Sequence, residues 1–161
     1  VVPWAKAGVG AVATQSIAEP SYGPKGLALI EQGIPADEAL QSLLAKDLGA
    51  AVRQIAMVDA QGNVGAHTGS RCISYASHST GKNYSVQANI MAKSTVPAAM
   101  IQAFENTPGN LAERMLAALD AAEAEGGDLR GRQSAAMLVV SGEPTGDPWE
   151  ARIVDLEVAD H

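Results

Sequence analysis

Residues 52–68, VRQIAMVDAQGNVGAHT, read as two strands folded about a tight turn. Val52 to Asp59 is rich in β-formers, Ala60-Gln61-Gly62-Asn63 carries turn chemistry, and Val64 to Thr68 returns as the partner, so the stretch predicts an antiparallel hairpin. A hairpin at this point argues against a strict strand–helix alternation and therefore against a doubly wound parallel sheet.

Working outward, the spacing of apolar residues switches between two periods. Upstream, Val9 to Ser16 reads as a strand, followed by a turn at Glu19-Pro20-Ser21-Tyr22-Gly23. Pro24 suits the first turn of a helix, where its missing N–H is harmless, and Leu27, Ile30 and Gly33 mark that helix's buried side and its stop. Ala36 to Lys46 predicts a second helix. Its Ala36, Ala39, Leu40, Leu43 and Leu44 gather on one face, and Asp37 and Glu38 favour its N-terminal end.

Downstream, Ser77 to Asn83 reads as a polar loop, Tyr84 to Met91 as a strand, and two helices follow. Val96, Met100, Ile101 and Phe104 share a face of the first helix. Asn110 and Glu113 have the spacing of a capping box at the start of the second, and Gly126-Gly127 ends it. Ser134 to Val140 is apolar on both pleat faces, which predicts a strand covered on both sides at the middle of a sandwich. Ile153 to Val158 alternates like a half-buried strand. Helices in pairs between groups of strands indicate an α+β fold, with helix layers covering sheets.

The 161 residues suit a single domain over 1–161, and 47% hydrophobic residues supply a core without disulfides; Cys72 stands alone. Eighteen acidic against eleven basic residues give a net charge of −7, which disfavours nucleic acid as a partner. The longest apolar runs fall well short of the ~20 residues of a membrane helix. A soluble, cytoplasmic protein without a membrane partner is expected. The chain opens at Val1-Val2-Pro3-Trp4 with neither an initiator Met nor a signal-peptide pattern, and it stops three residues after an alternating stretch. The expectation is a domain incomplete at the N-terminus, with the C-terminus open to the same reading.

Gly8-Val9-Gly10 with Ala13 meets the loose dinucleotide pattern, yet no strand precedes it and no helix follows. His67, Cys72 and His78 lack zinc spacings, so neither a metal nor another cofactor is expected. Cys72 with His67 or His78 as base would make a thiol nucleophile, but a lone buried Cys more commonly acts as a small apolar group. More informative are uncharged polar groups at the ends of strands: Thr14-Gln15-Ser16, His67-Thr68-Gly69-Ser70-Arg71, Gln87 with Asn89, and Arg132-Gln133-Ser134. Converging amides, hydroxyls and arginines suit a site that binds a carboxylate or amide and stabilises an oxyanion.

The segments Val1 to Gln15, Tyr22 to Leu27, Ala66 to Cys72, Val86 to Asn89 and Arg130 to Ala136, in this order and spacing, resemble the bacterial and archaeal family called domain of unknown function 1028. That family is similar in fold to the N-terminal nucleophile (Ntn) hydrolases. The resemblance implies a four-layer αββα sandwich, lacking its N-terminal strands in this chain, and hydrolysis of an amide or other C–N bond of a small-molecule substrate. In such enzymes the nucleophile is a Thr, Ser or Cys at the chain's N-terminus with its own amine as base; Val1 has no such side chain, so the attacking group is expected from a segment not in these residues.

Carried over at matching positions, Thr14, Gln15, His67, Thr68, Arg71, Gln87, Asn89, Gln133 and Ser134 are the candidate substrate-binding or oxyanion residues, and none is the nucleophile. Ala88 departs from the Gly common in relatives and leaves the roles of Gln87 and Asn89 open. Partners implied are the missing N-terminal segment or a second chain, and a homo-oligomer. The alternative is a non-catalytic ligand-binding or assembly module on the same fold.

Overall fold

The computed structural model describes residues 2–147 and 150–159. Its elements run β1 (Val2–Lys6), β2 (Gly10–Ser16), α1 (Tyr22–Glu31), α2 (Ala36–Leu44), β3 (Arg53–Asp59), β4 (Val64–Thr68), β5 (Ser77–Gly81), β6 (Tyr84–Ala88), α3 (Val96–Asn106), α4 (Leu111–Ala124), β7 (Ala135–Val140) and β8 (Arg152–Val158). Strands β1 to β4 form an antiparallel meander in sequence order, and β5–β6 and β7–β8 form two further antiparallel pairs. The class is mixed α+β.

Register divides the meander into two faces. Thr14 stands opposite Ile55 and Val12 opposite Met57, so these side chains project to one side. That side carries the core, where Val12, Ile55 and Met57 cluster with Tyr22, Leu27 and Ile30 of α1 and with Ala36, Ala39 and Leu40 of α2. On the other side, Gln15 stands opposite Gln54 and Gln54 opposite Thr68. This face meets the β5–β6 pair, since the Gln54 side chain reaches backbone carbonyls of both strands. Helix α3 covers the far side of that pair: Tyr84 and Phe104 rings lie 4.9 Å apart, and the Tyr84 hydroxyl donates to Glu105 at 2.7 Å. Arg114 of α4 lies 4.1 Å over the Phe104 ring and ties the two helices together.

Three local readings are borne out by their geometry. The hairpin pairs Val58 with Val64 and Gln54 with Thr68. The capping box is complete, with the Asn110 side chain accepting from the Glu113 N–H and the Glu113 carboxylate accepting from the Asn110 N–H. Gly33, at φ +86°, closes α1 as the Ile34 N–H reaches back to the Leu29 carbonyl.

Three readings need correction. Ser77 to Gly81 is a strand, not a loop; only Lys82 and Asn83 turn, with Asn83 at φ +66°. Val2–Lys6 is a strand that the opening of the chain did not suggest. β7 is not a central strand: β8 is its partner, and only Val139 along it is buried. Its apolar residues alternate across a two-stranded sheet, with Ala135 and Ala136 exposed at its start and Met137, Leu138 and Val140 only partly buried.

Gly65 marks where α2 comes down onto β4. A Cβ there would lie 2.7 Å from Asp37 Cα and 3.0 Å from the Ala36 carbonyl oxygen, both rigid backbone atoms. Gly65→Ala is therefore expected to destabilise the fold by ~1–3 kcal/mol, the usual range for overpacking, read as a lower urea midpoint at unchanged m-value. An unchanged midpoint would mean that α2 is free to shift.

Candidate functional site

Gln54 is an amide in a buried strand, with no exposed surface. Its orientation is forced, because a backbone carbonyl can only accept. Nε2 lies 3.1 Å from the Ser77 carbonyl and 2.9 Å from the Ala88 carbonyl. Oε1 must then accept, and it does so from Gln15 Nε2 and Asn89 Nδ2, each at 2.8 Å. Nε2 also lies 2.9 Å from Thr68 Oγ1, which in turn sits 2.8 Å from His78 Nδ1. One glutamine thus joins β2, β3, β4, β5 and the end of β6.

Gln15, Thr68 and Asn89 are therefore brought together at the junction of the meander and the β5–β6 pair. Gln87 lies opposite His78 in that pair and donates to the Ser85 hydroxyl. Beside the cluster opens a cleft of about 380 Å³, lined by Thr68, Ser70, Cys72, Ser74, Ser77 and His78 among others. His78 is an exposed residue, but partial desolvation of its ring, and secondarily the nearby His67, holds the imidazole below its ordinary pKa. Of the cluster, Thr68 and His78 line this cleft while the Gln15, Gln54, Gln87 and Asn89 amides lie outside its wall, and its hydroxyls can bind a polar, uncharged group and donate to a developing negative charge.

Other candidates lie elsewhere. Thr14 is fully buried on the helix-covered face, where Oγ1 accepts from the Glu19 N–H at 3.4 Å. His67 is on that same face, with Nε2 2.8 Å from the Ala50 carbonyl. Arg71 is exposed, and its backbone N–H donates to the Ala51 carbonyl. Gln133 and Ser134 are exposed before β7, Gln133 donating to the neighbouring Arg132 carbonyl. Sequence reasoning missed Gln54 and His78 as members of the cluster. The signal for Gln54 was its parity, since it alternates with Ile55 and Met57 and must face away from the helices.

A larger cavity of about 510 Å³ lies at the opposite end of the meander, beside Asp59. The Asp59 carboxylate there is fully engaged: Oδ1 accepts from the Gln61 and Asn63 N–H groups, and Oδ2 from the Ala36 N–H and Asn63 Nδ2. It holds a turn and a helix start rather than a ligand. Among the described residues, no group of three or more His, Cys, Asp or Glu is placed to hold a metal ion, and no helix is long and apolar enough to cross a membrane.

Comparison with known proteins places these features in context. A family model described as a family of unknown function (DUF1028) matches residues 1–161. No curated protein matches. The crystal structure of protein SPO2555 from Silicibacter pomeroyi, which carries the same family model, is similar at 30% identity with a TM-score of 0.83. The match covers 96% of this chain and 64% of that one, so the chain spans about 64% of that structure's length.

Proposed function

From the premise that this chain belongs to the family of unknown function DUF1028, we propose that it is an N-terminal nucleophile type hydrolase that cleaves an amide or other C–N bond of a small substrate. The observation that carries this reading is the Gln54 cluster beside the hydroxyl-lined cleft. Gln15 and Asn89 each use one N–H on Gln54 and keep a second N–H for a substrate carbonyl or carboxylate. Fixed amide dipoles of this kind stabilise an oxyanion without reorganising during the reaction.

The succession of contacts supports the finer fold reading. Helices α1 and α2 lie on one face of the meander, the β5–β6 pair on the other, and α3 behind that pair. This is the order of layers that an αββα sandwich would have. In this reading the attacking hydroxyl or thiol comes from a segment N-terminal to Val1. Gln15, Thr68, Gln87 and Asn89 bind the substrate and its oxyanion.

The test uses the full-length protein and a panel of small N-acyl and ureido acids, with amine release as the signal. Changing its first nucleophilic residue to Ala is expected to abolish turnover and leave the melt unchanged. Gln87→Ala is expected to lower kcat by ~10²–10³-fold with little change in KM, as for loss of one oxyanion donor. Turnover retained in the first-residue variant would overturn the reading. Binding of these acids with no turnover would make the protein a ligand-binding module.

A further inference from the structure

The cleft holds one pair of side chains with the geometry of a nucleophile and its base. Thr68 Oγ1 and His78 Nδ1 are 2.8 Å apart, within the range such pairs need. The neighbours settle which atom carries the proton. Gln54 Nε2, whose two hydrogens are shared among Thr68 Oγ1 and the Ser77 and Ala88 carbonyls, cannot accept a proton, so at 2.9 Å it leaves the Thr68 hydroxyl's own proton for Nδ1. Nδ1 accepts when the imidazole is neutral with its proton on Nε2. Partial desolvation and the nearby His67 keep the exposed His78 below its ordinary value of 6.5, so the neutral form prevails at pH 7. Gln54, held by four other partners, sets a fixed polar neighbour on one side of the Thr68 oxygen.

We propose that Thr68 is an acyl-accepting nucleophile with His78 as its general base, forming an acyl-transfer site complete within these residues. It goes beyond the amide-hydrolase reading because it needs no attacking group from elsewhere. Thr68 Oγ1 forms a bond to the carbonyl carbon of an ester or amide while its proton passes to His78 Nδ1. The C–O or C–N bond then breaks, and the leaving group takes that proton. Water attacks the resulting Thr68 ester and gives a proton to Nδ1, the Thr68 C–O bond breaks, and the proton returns to Oγ1 as the carboxylic acid departs. Hydroxyls of Ser70, Ser74 and Ser77 line the same cleft and can donate to the oxyanion. Cys72, also on the cleft wall, donates to the Arg53 carbonyl at 3.3 Å and has no hydrogen-bonded histidine among the described residues.

The test treats the full-length protein with p-nitrophenyl acetate, quenches in acid and maps the acetyl group by peptide mass spectrometry. An acetyl ester on Thr68 is expected. Thr68→Val and His78→Gln should each slow p-nitrophenol release by ~10²-fold or more, the usual worth of a positioned base. His78→Gln keeps a hydrogen-bonding partner for Thr68 but removes the base, so an unchanged melt in that variant separates chemistry from folding. Absence of acetyl from Thr68, whatever else is labelled, overturns the proposal, as does unchanged release in His78→Gln. Amide turnover in the first-residue variant is a separate signal, so either reading can fail alone.

Discussion

Gln54→Leu is expected to destabilise the protein by ~3–4 kcal/mol, because each buried polar group left unpaired costs ~1–3 kcal/mol. Leucine conserves the volume roughly but offers nothing to its neighbours. The Gln15 and Asn89 amides lose their acceptor, and the Ser77 and Ala88 carbonyls lose a donor. Some of these groups will reach water as the β5–β6 pair loosens, which keeps the cost below the full sum. The loosening has its own signature: amide hydrogens of β5 and β6 should exchange faster than those of β2 and β3. Gln54→Glu is a sharper probe, since it sets a carboxylate oxygen against two carbonyl oxygens and should be worse at pH 7 than at pH 4. Equal stability of wild type and Gln54→Leu in urea would show that the cluster is incidental to the fold.

Asp59→Ala is expected to cost ~3 kcal/mol, on the same accounting for buried donors. The carboxylate is 5% exposed and accepts four hydrogen bonds from Gln61, Asn63 and the fully buried Ala36. Ala36 is the first residue of α2, so the negative charge also faces the positive end of that helix. Burial alone would raise the Asp59 pKa, but the hydrogen bonds from Asn63, Ala36 and Gln61 together outweigh it and hold the carboxyl below its ordinary 3.8. A carboxyl lowered in the folded state stabilises fully above its unfolded pKa. That contribution fades as the pH falls from there through the folded value. Wild-type stability should therefore drop below about pH 4, and Asp59→Asn should show a shallower drop because it has no proton to bind. Parallel profiles for the two proteins would remove Asp59 as the cause.

Both residues lie on the hairpin that was most legible in the sequence, and they differ in how far they could be read. Asp59 acts within four residues of itself, through a turn whose Gly62 and Asn63 announce it, and across to a helix start. Gln54 gives no such local sign. Its five partners come from four other stretches of chain, 14 to 39 residues away. Parity shows which face it occupies, but nothing nearby tells what waits there.

The misread elements follow the same division. Ser77 to Gly81 is polar and looks like a loop, yet it pairs with β6 through backbone groups that every residue carries. Ser134 to Val140 is apolar throughout and looks central, yet it pairs with β8 in a two-stranded sheet. Pairing depends on what the chain brings alongside a strand, so composition is a weak guide to position in a sheet. The candidate site was partly legible for that reason. Gln15, Thr68, Gln87 and Asn89 were singled out as polar groups at strand ends, whereas Thr14 and His67, one residue away from Gln15 and Thr68, point to the opposite face.

By itself the sequence determined the four helices, the capping box of α4, the β3–β4 hairpin and the two-faced alternation of its strands. These rest on interactions among residues close in the chain, whose geometry is set by backbone sterics and side-chain period. Tertiary structure alone decided that Gln54 would be the hub of five polar partners, that Thr68 would meet His78, and that β7 would lie in a two-stranded sheet. Those outcomes depend on long-range docking, where one residue's step along a strand moves a side chain from one face to the other and so changes every partner it can reach.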